Sequence, residues 1–100
     1  MHVANSVNGI PIRLTSERWQ HSNQNYPEMA GRLYDILETV EQPETVRLGP
    51  KGERIAHRVL EERTRRIIVV YRENGEDGFI ITAFLTKRTN WLTKRVAIWP

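Results

Sequence analysis

Two histidines, a tyrosine, three cations and two hydroxyls are the side chains of this sequence best suited to acid–base or phosphate chemistry. His21, His57 and Tyr71 can move protons, Arg58, Lys87 and Arg88 can hold a phosphate, and Thr82 and Thr86 can position one. Histidine suits proton transfer because its ordinary pKa lies near neutrality. Arginine suits phosphate because its planar fork donates two parallel hydrogen bonds. RNA cleavage without a metal needs little more. A base takes the 2′-hydroxyl proton, an acid protonates the leaving oxygen, and cations stabilise the crowded phosphate. Each residue also has an ordinary structural role: His21 on a helix surface, His57 half-buried in a sheet, Tyr71 in the core or at its rim, and the threonines as strand formers.

Other chemistries lack their residues. No glycine-rich phosphate loop follows a strand, no histidine pair has zinc spacing, and no acidic cluster suits magnesium. The chain has no cysteine, and Ser6, Ser16 and Ser22 stand isolated, which argues against a nucleophilic triad. Neither a metal nor a cofactor is expected. The net charge is +3 and the pI about 9.7, unevenly spread. Residues 1–50 carry four basic and six acidic groups, 51–77 seven and six, and 78–100 four basic groups (Lys87, Arg88, Lys94, Arg95) and no acid. A cationic C-terminal quarter suits a polyanion or an acidic protein partner.

The elements that must position these groups follow from pattern. One hundred residues make one domain. Residues 1–9 read as a flexible lead-in and 10–100 as the domain. Ile10–Leu14 is short and extended, and Pro11 confines it to an edge or a strand start. Thr15 or Ser16 caps a first helix over 16–24, anchored by Trp19. Pro27 opens a second, in which Met29, Leu33, Ile36, Leu37 and Val40 form one apolar stripe. Four strands follow: 44–48, 53–60, 66–72 and 79–86. In the second, Ile55, His57 and Val59 alternate with Arg54, Ala56, Arg58 and Leu60. The run Ile67–Tyr71 is apolar enough for the sheet centre. The last strand places Phe79, Ile81, Ala83 and Leu85 on one face and Ile80, Thr82, Phe84 and Thr86 on the other. Residues 90–100 are a final strand or an irregular tail. The expected architecture is α+β, with two N-terminal helices packed on a four- to five-stranded antiparallel sheet.

Two stretches carry a resemblance. Thr15-Ser-Glu-Arg-Trp-Gln-His21 followed by Tyr26-Pro-Glu-Met29, and later Asp77-Gly-Phe-Ile-Ile-Thr-Ala-Phe-Leu-Thr86, resemble the phage-associated nuclease-like domains of the barnase–EndoU–colicin–RelE superfamily. The likeness spans roughly residues 10–90. It implies the RelE/barnase-like fold just described and metal-independent ribonuclease activity, often as a toxin or effector. His21 matches the helix histidine of that pattern, and Thr82 and Thr86 match hydroxyls on its last core strand. Related sequences often have histidine where this chain has Tyr26, and a phenol with an ordinary pKa near 10 is a poor base at pH 7. His57 and Arg58 have no match there and rest on their own chemistry.

The expectation is therefore a metal-independent ribonuclease acting by acid–base transesterification. His21, His57 and Tyr71 would move protons and Thr82 and Thr86 position substrate, with Tyr26, Arg58, Lys87 and Arg88 binding it. RNA, free or on the ribosome, is the expected partner, with an antitoxin-like inhibitor as corollary. The alternative is a non-catalytic RNA- or protein-binding domain descended from such a nuclease. A weaker third reading is a dimerisation domain that uses the tryptophans of the tail. No apolar run approaches the ~20 residues of a membrane span, no secretory signal is evident, and a cytoplasmic location is expected.

Overall fold

The computed structural model describes all residues, Met1–Pro100. A single mixed sheet forms its frame. In chain order the strands are β1 (His2–Asn5), β2 (Pro11–Leu14), β3 (Thr45–Leu48), β4 (Arg54–Val59), β5 (Arg66–Asn74), β6 (Asp77–Thr86) and β7 (Ala97–Trp99). The helices are α1 (Ser16–Asn25), α2 (Leu33–Glu41) and the single turn α3 (Asn90–Thr93), with a 3-10 turn at Pro27–Met29. The order across the sheet is β1-β2-β6-β5-β4-β3-β7.

Seven strands overturn the expected two helices on four or five antiparallel strands, and one neighbouring pair, β2 with β6, is parallel. Two short strands, β1 and β7, account for the difference from five. The segment read as a loose lead-in forms β1, which pairs antiparallel with β2 from His2↔Leu14 to Asn5↔Pro11. Its turn is held by Ser6, whose Oγ accepts the backbone N–H groups of Asn8 and Ile10, while Gly9 supplies a φ of +76°. β7 returns from the tail to pair with β3. Strands of three or four residues are too short to show a period, and their partners lie far away in sequence.

The helical elements follow their local chemistry more closely. Thr15 caps α1, its side chain accepting the N–H of Arg18 at 3.2 Å. The expected second helix is divided: Pro27 starts a 3-10 turn, Gly31 at φ +78° breaks the chain, and α2 begins only at Leu33. α2 buries Ile36 and Val40 on the sheet. Beneath them lie Val46, Ala56, Ile67, Val69, Tyr71, Ile80 and Ala83, which with Ile12 and Leu14 form the main core. Burying one such isoleucine contributes about 2 kcal/mol.

The meander β3–β4–β5–β6 is the centre of the sheet. Its registers decide what reaches each face. Ala56 pairs with Val69, and His57 pairs with Ile68 and, on its other side, with Thr45. A bulge in the β5–β6 ladder breaks the alternation of β6: Val70 faces Thr82, but Tyr71 faces Ile80, leaving Ile81 as the extra residue. Ile80, rather than the expected Phe79 or Ile81, therefore shares the core face with Ala83 and Leu85. Phe79, Thr82, Phe84 and Thr86 share the opposite face.

Candidate nucleic-acid interface

The face of the sheet away from α2 is covered by α3, with α1 alongside β6 at its margin. Leu92 is the plug, packing on Ile55 and Ile68 with Val70 and Phe84 alongside. Around this small second core the register lines up polar and aromatic groups. Phe84, Ile68, His57 and Thr45 form one cross-strand row. Thr86 is beside Arg66 in a parallel row, and Arg47 beside Ile55 in another.

His57 is the centre of the polar part. It is only 5 % exposed and has an arginine at each ring nitrogen. Arg47 Nε donates to His57 Nε2 at 3.1 Å, and Arg66 Nη1 lies 3.4 Å from Nδ1. A neutral ring accepts at one nitrogen only. The shorter contact makes Nε2 the acceptor and leaves the proton on Nδ1. Burial, then the charges of Arg66 and Arg47, push the pKa of His57 down to about 4, against a small opposing effect of Glu44. The imidazole is thus neutral at pH 7.

Both guanidinium groups are braced from behind. Arg47 Nη1 donates to the Arg95 carbonyl at 2.9 Å, and Arg95 Nε donates to the Leu48 carbonyl at 2.9 Å, so the tail holds the cluster. Arg66 Nη1 pairs with Glu44 Oε1 at 2.8 Å. Burial raises the Glu44 pKa, but the Val59 N–H and Arg66 outweigh it and the net shift is downward.

The other half of the face is aromatic and cationic. Tyr26, at the end of α1, tilts against Phe84 with ring centroids 5.5 Å apart, and Phe84 stacks on Trp91 at 6.2 Å. Thr86 Oγ1 bonds the backbone N–H and carbonyl of Arg88 at 3.0 and 3.1 Å. Its hydroxyl is therefore committed to shaping the turn that carries Lys87 and Arg88. Thr82 stands on the same face, opposite Val70.

His21 sits elsewhere. It lines a groove between α1 and the β2–β6 junction with Arg13, Arg18, Gln24 and Phe79, and its Nε2 is 2.9 Å from Asn25 Nδ2. The His57 strand is two strand spacings from β6, about 10 Å, so His21 and His57 do not meet. Tyr71 and Arg58 lie on the opposite face altogether. Tyr71 is fully buried under α2, its hydroxyl has no hydrogen-bond partner, and burial, aided by Glu73, pushes its pKa up to about 12. It has no route to a proton on the open face. Arg58 reaches toward α2 and pairs with Glu38 at 3.1 Å.

Of the residues singled out from sequence, the fold therefore gathers His57, Tyr26, Thr82, Thr86, Lys87 and Arg88 on one face. It adds Arg47, Arg66, Phe84 and Trp91, which sequence reasoning did not select. A signal for Arg47 was present: the turn Gly49–Gly52 folds β3 onto β4, and residues two apart share a face, which brings Arg47 near His57. Arg66 required the β4–β5 register. No group of three or more His, Asp or Glu side chains converges anywhere in the fold. No helix is long and apolar enough to cross a membrane. No family model matches the chain, and no curated protein or solved structure is significantly similar to it.

Proposed function

We propose that the chain is a metal-independent endoribonuclease domain whose RNA lies across the open face of the sheet. One observation carries this reading: a neutral imidazole, His57, held between two guanidinium groups, one at each ring nitrogen. An RNA phosphate arriving at Arg47 and Arg66 takes over their N–H groups, in the bidentate manner that arginine favours. Arg47 then releases the Nε2 lone pair. Nε2 accepts the proton of the 2′-hydroxyl as that oxygen attacks the adjacent phosphorus, and the P–O5′ bond breaks, the 5′ oxygen taking a proton from solvent water, to give a 2′,3′-cyclic phosphate and a 5′-hydroxyl. The two arginines stabilise the charge that builds on the phosphoryl oxygens. On this reading His57 and the two arginines form the centre, and His21 is secondary. A free nuclease of this kind would harm its host, so an inhibitory protein partner belongs to the proposal.

A second reading is an RNA-binding domain without catalysis. It is favoured by the separation of His21 from His57, which leaves the leaving oxygen without a second side-chain acid. The deciding experiment is incubation of the purified protein with total RNA in excess EDTA, with mapping of the cut ends. Cyclic phosphate ends that disappear in His57→Gln and persist in His21→Ala support the nuclease as described. RNA retained but uncut, both free and on translating ribosomes, supports the binding domain instead.

A further inference from the structure

The chain leaving β6 folds into a small cationic pocket that the cleavage chemistry does not use. Lys87, Arg88, Thr89, Asn90, Trp91 and Lys94 line it, around a space of about 590 Å³. No acidic side chain borders it, and none follows Asp77 in the sequence. Trp91 is the only apolar side chain in the lining. It is 36 % exposed.

Its ring is nonetheless held in place from two directions. The indole N–H donates to the Arg88 carbonyl at 2.8 Å, and one face of the ring rests on Phe84 at 6.2 Å with an interplanar angle of 29°. Phe84 in turn rests on Tyr26. The three rings make a short stack with Trp91 at its outer end. An aromatic ring fixed in orientation, open to solvent and ringed by cations is the arrangement that binds an unpaired base with its phosphate: the base stacks on the ring and the backbone lies along the charges.

We infer that Trp91, with Lys87, Arg88 and Lys94, forms a base-stacking subsite for single-stranded RNA. Trp91 stacks on Phe84, and Phe84 shares a cross-strand row with His57 about 10 Å away across two strand spacings. A base held at Trp91 therefore delivers the neighbouring backbone toward Arg66 and Arg47. The subsite selects unpaired strands, because a duplex hides its base faces, and it tolerates any base, because every base has a face that can stack on the ring.

The inference shares its face with the proposed nuclease but can be tested apart from it. A fluorescein-labelled 2′-O-methyl oligouridine cannot be cleaved by 2′-hydroxyl attack, so anisotropy titration of the full chain in EDTA reads binding alone. Trp91→Ala should weaken binding by about 5- to 150-fold, the effect of removing one base–aromatic stack. Trp91→Phe should keep most of the affinity. Lys87→Glu with Lys94→Glu, both exposed and free of hydrogen bonds to the core, should weaken binding and flatten its salt dependence. A blunt RNA duplex should compete poorly. Circular dichroism and the urea midpoint of each variant separate lost binding from lost fold. Unchanged affinity in folded Trp91→Ala, or equal competition by duplex, overturns the subsite. Failure of cleavage with intact Trp91-dependent binding overturns the nuclease reading and leaves the subsite standing.

Discussion

The environment of His57 makes a quantitative demand on the pH dependence of stability. Its ordinary pKa of 6.5 falls to about 4 in the folded chain. In the unfolded chain the ring is free, so between pH 6.5 and 4 the unfolded state binds more protons than the native state. His57 therefore contributes its full stability above about pH 6.5, and that contribution is lost as pH falls through this window. Between pH 7 and pH 5 the loss is about 2 kcal/mol at 1.36 kcal/mol per unit. The Arg66 side chain is 30 % exposed, and solvent screening of the charge effects reduces this to about 1–1.5 kcal/mol. Glu44 shifts downward and so loses its contribution only below its ordinary range, outside this interval. Urea unfolding at pH 7 and pH 5 of the native chain and of His57→Gln isolates the histidine. The native chain should lose about 1–1.5 kcal/mol more than the variant over that interval, and the His57 ring should titrate near pH 4 by NMR. Equal losses in the two proteins, or a ring titrating above pH 6 in the folded chain, would refute the buried, arginine-flanked environment on which the proposed base rests.

Other perturbations have expected signs. Tyr71→Phe removes a buried hydroxyl that has no partner, so stability should stay level or rise by up to about 1 kcal/mol, with RNA binding untouched; a loss beyond about 1 kcal/mol in urea unfolding would show that the hydroxyl is satisfied. Gly78→Ala should cost about 2–3 kcal/mol or prevent folding, because a Cβ there would collide with the Arg72 carbonyl and come within 2.7 Å of Ile12 Cδ1 at the β2–β6 junction; a thermal melt matching the native chain would contradict that crowding. Thr15→Ala should cost about 1 kcal/mol through the lost α1 cap, and Thr15→Asp should restore most of it. Glu44→Gln breaks an exposed ion pair and should change stability by under about 1 kcal/mol in the same urea assay.

The two faces of the sheet divide the work. The α2 side holds the large apolar side chains and hides Tyr71, so it supplies most of the stability. The other side is closed by Leu92 and the one-turn α3, with Tyr26 at its rim, and there His57 lies just beneath partly exposed arginines and aromatic rings. The tail does more than close the sheet edge. Its Arg95 holds Arg47 through backbone carbonyls on both sides, so cutting the chain before α3 would remove Trp91 and loosen the histidine cluster together.

Local chemistry alone determined a good deal of this protein. The Thr15 cap, the apolar stripe of α2, the turns at Gly49–Gly52 and Asn74–Asp77 and the alternation that sets His57 against Arg58 all follow from neighbours a few residues apart. The meander β3–β6 followed with them, because tight turns leave antiparallel pairing as the one short connection. What tertiary structure decided was long-range. β1 is too short to announce itself, β2 and β7 read only as a short extended stretch and an undecided tail, and all three exist as strands because distant partners accept them. The β6 bulge moved Phe79 to the outer face and Ile80 to the core, a change that no two-residue period contains. Tyr71 and His57, both plausible proton carriers by type, were separated onto opposite faces by register. Arg47 and Arg66 became partners of one imidazole only when three strands were laid side by side, because side-chain chemistry is written in the sequence but its company is set by the ladder.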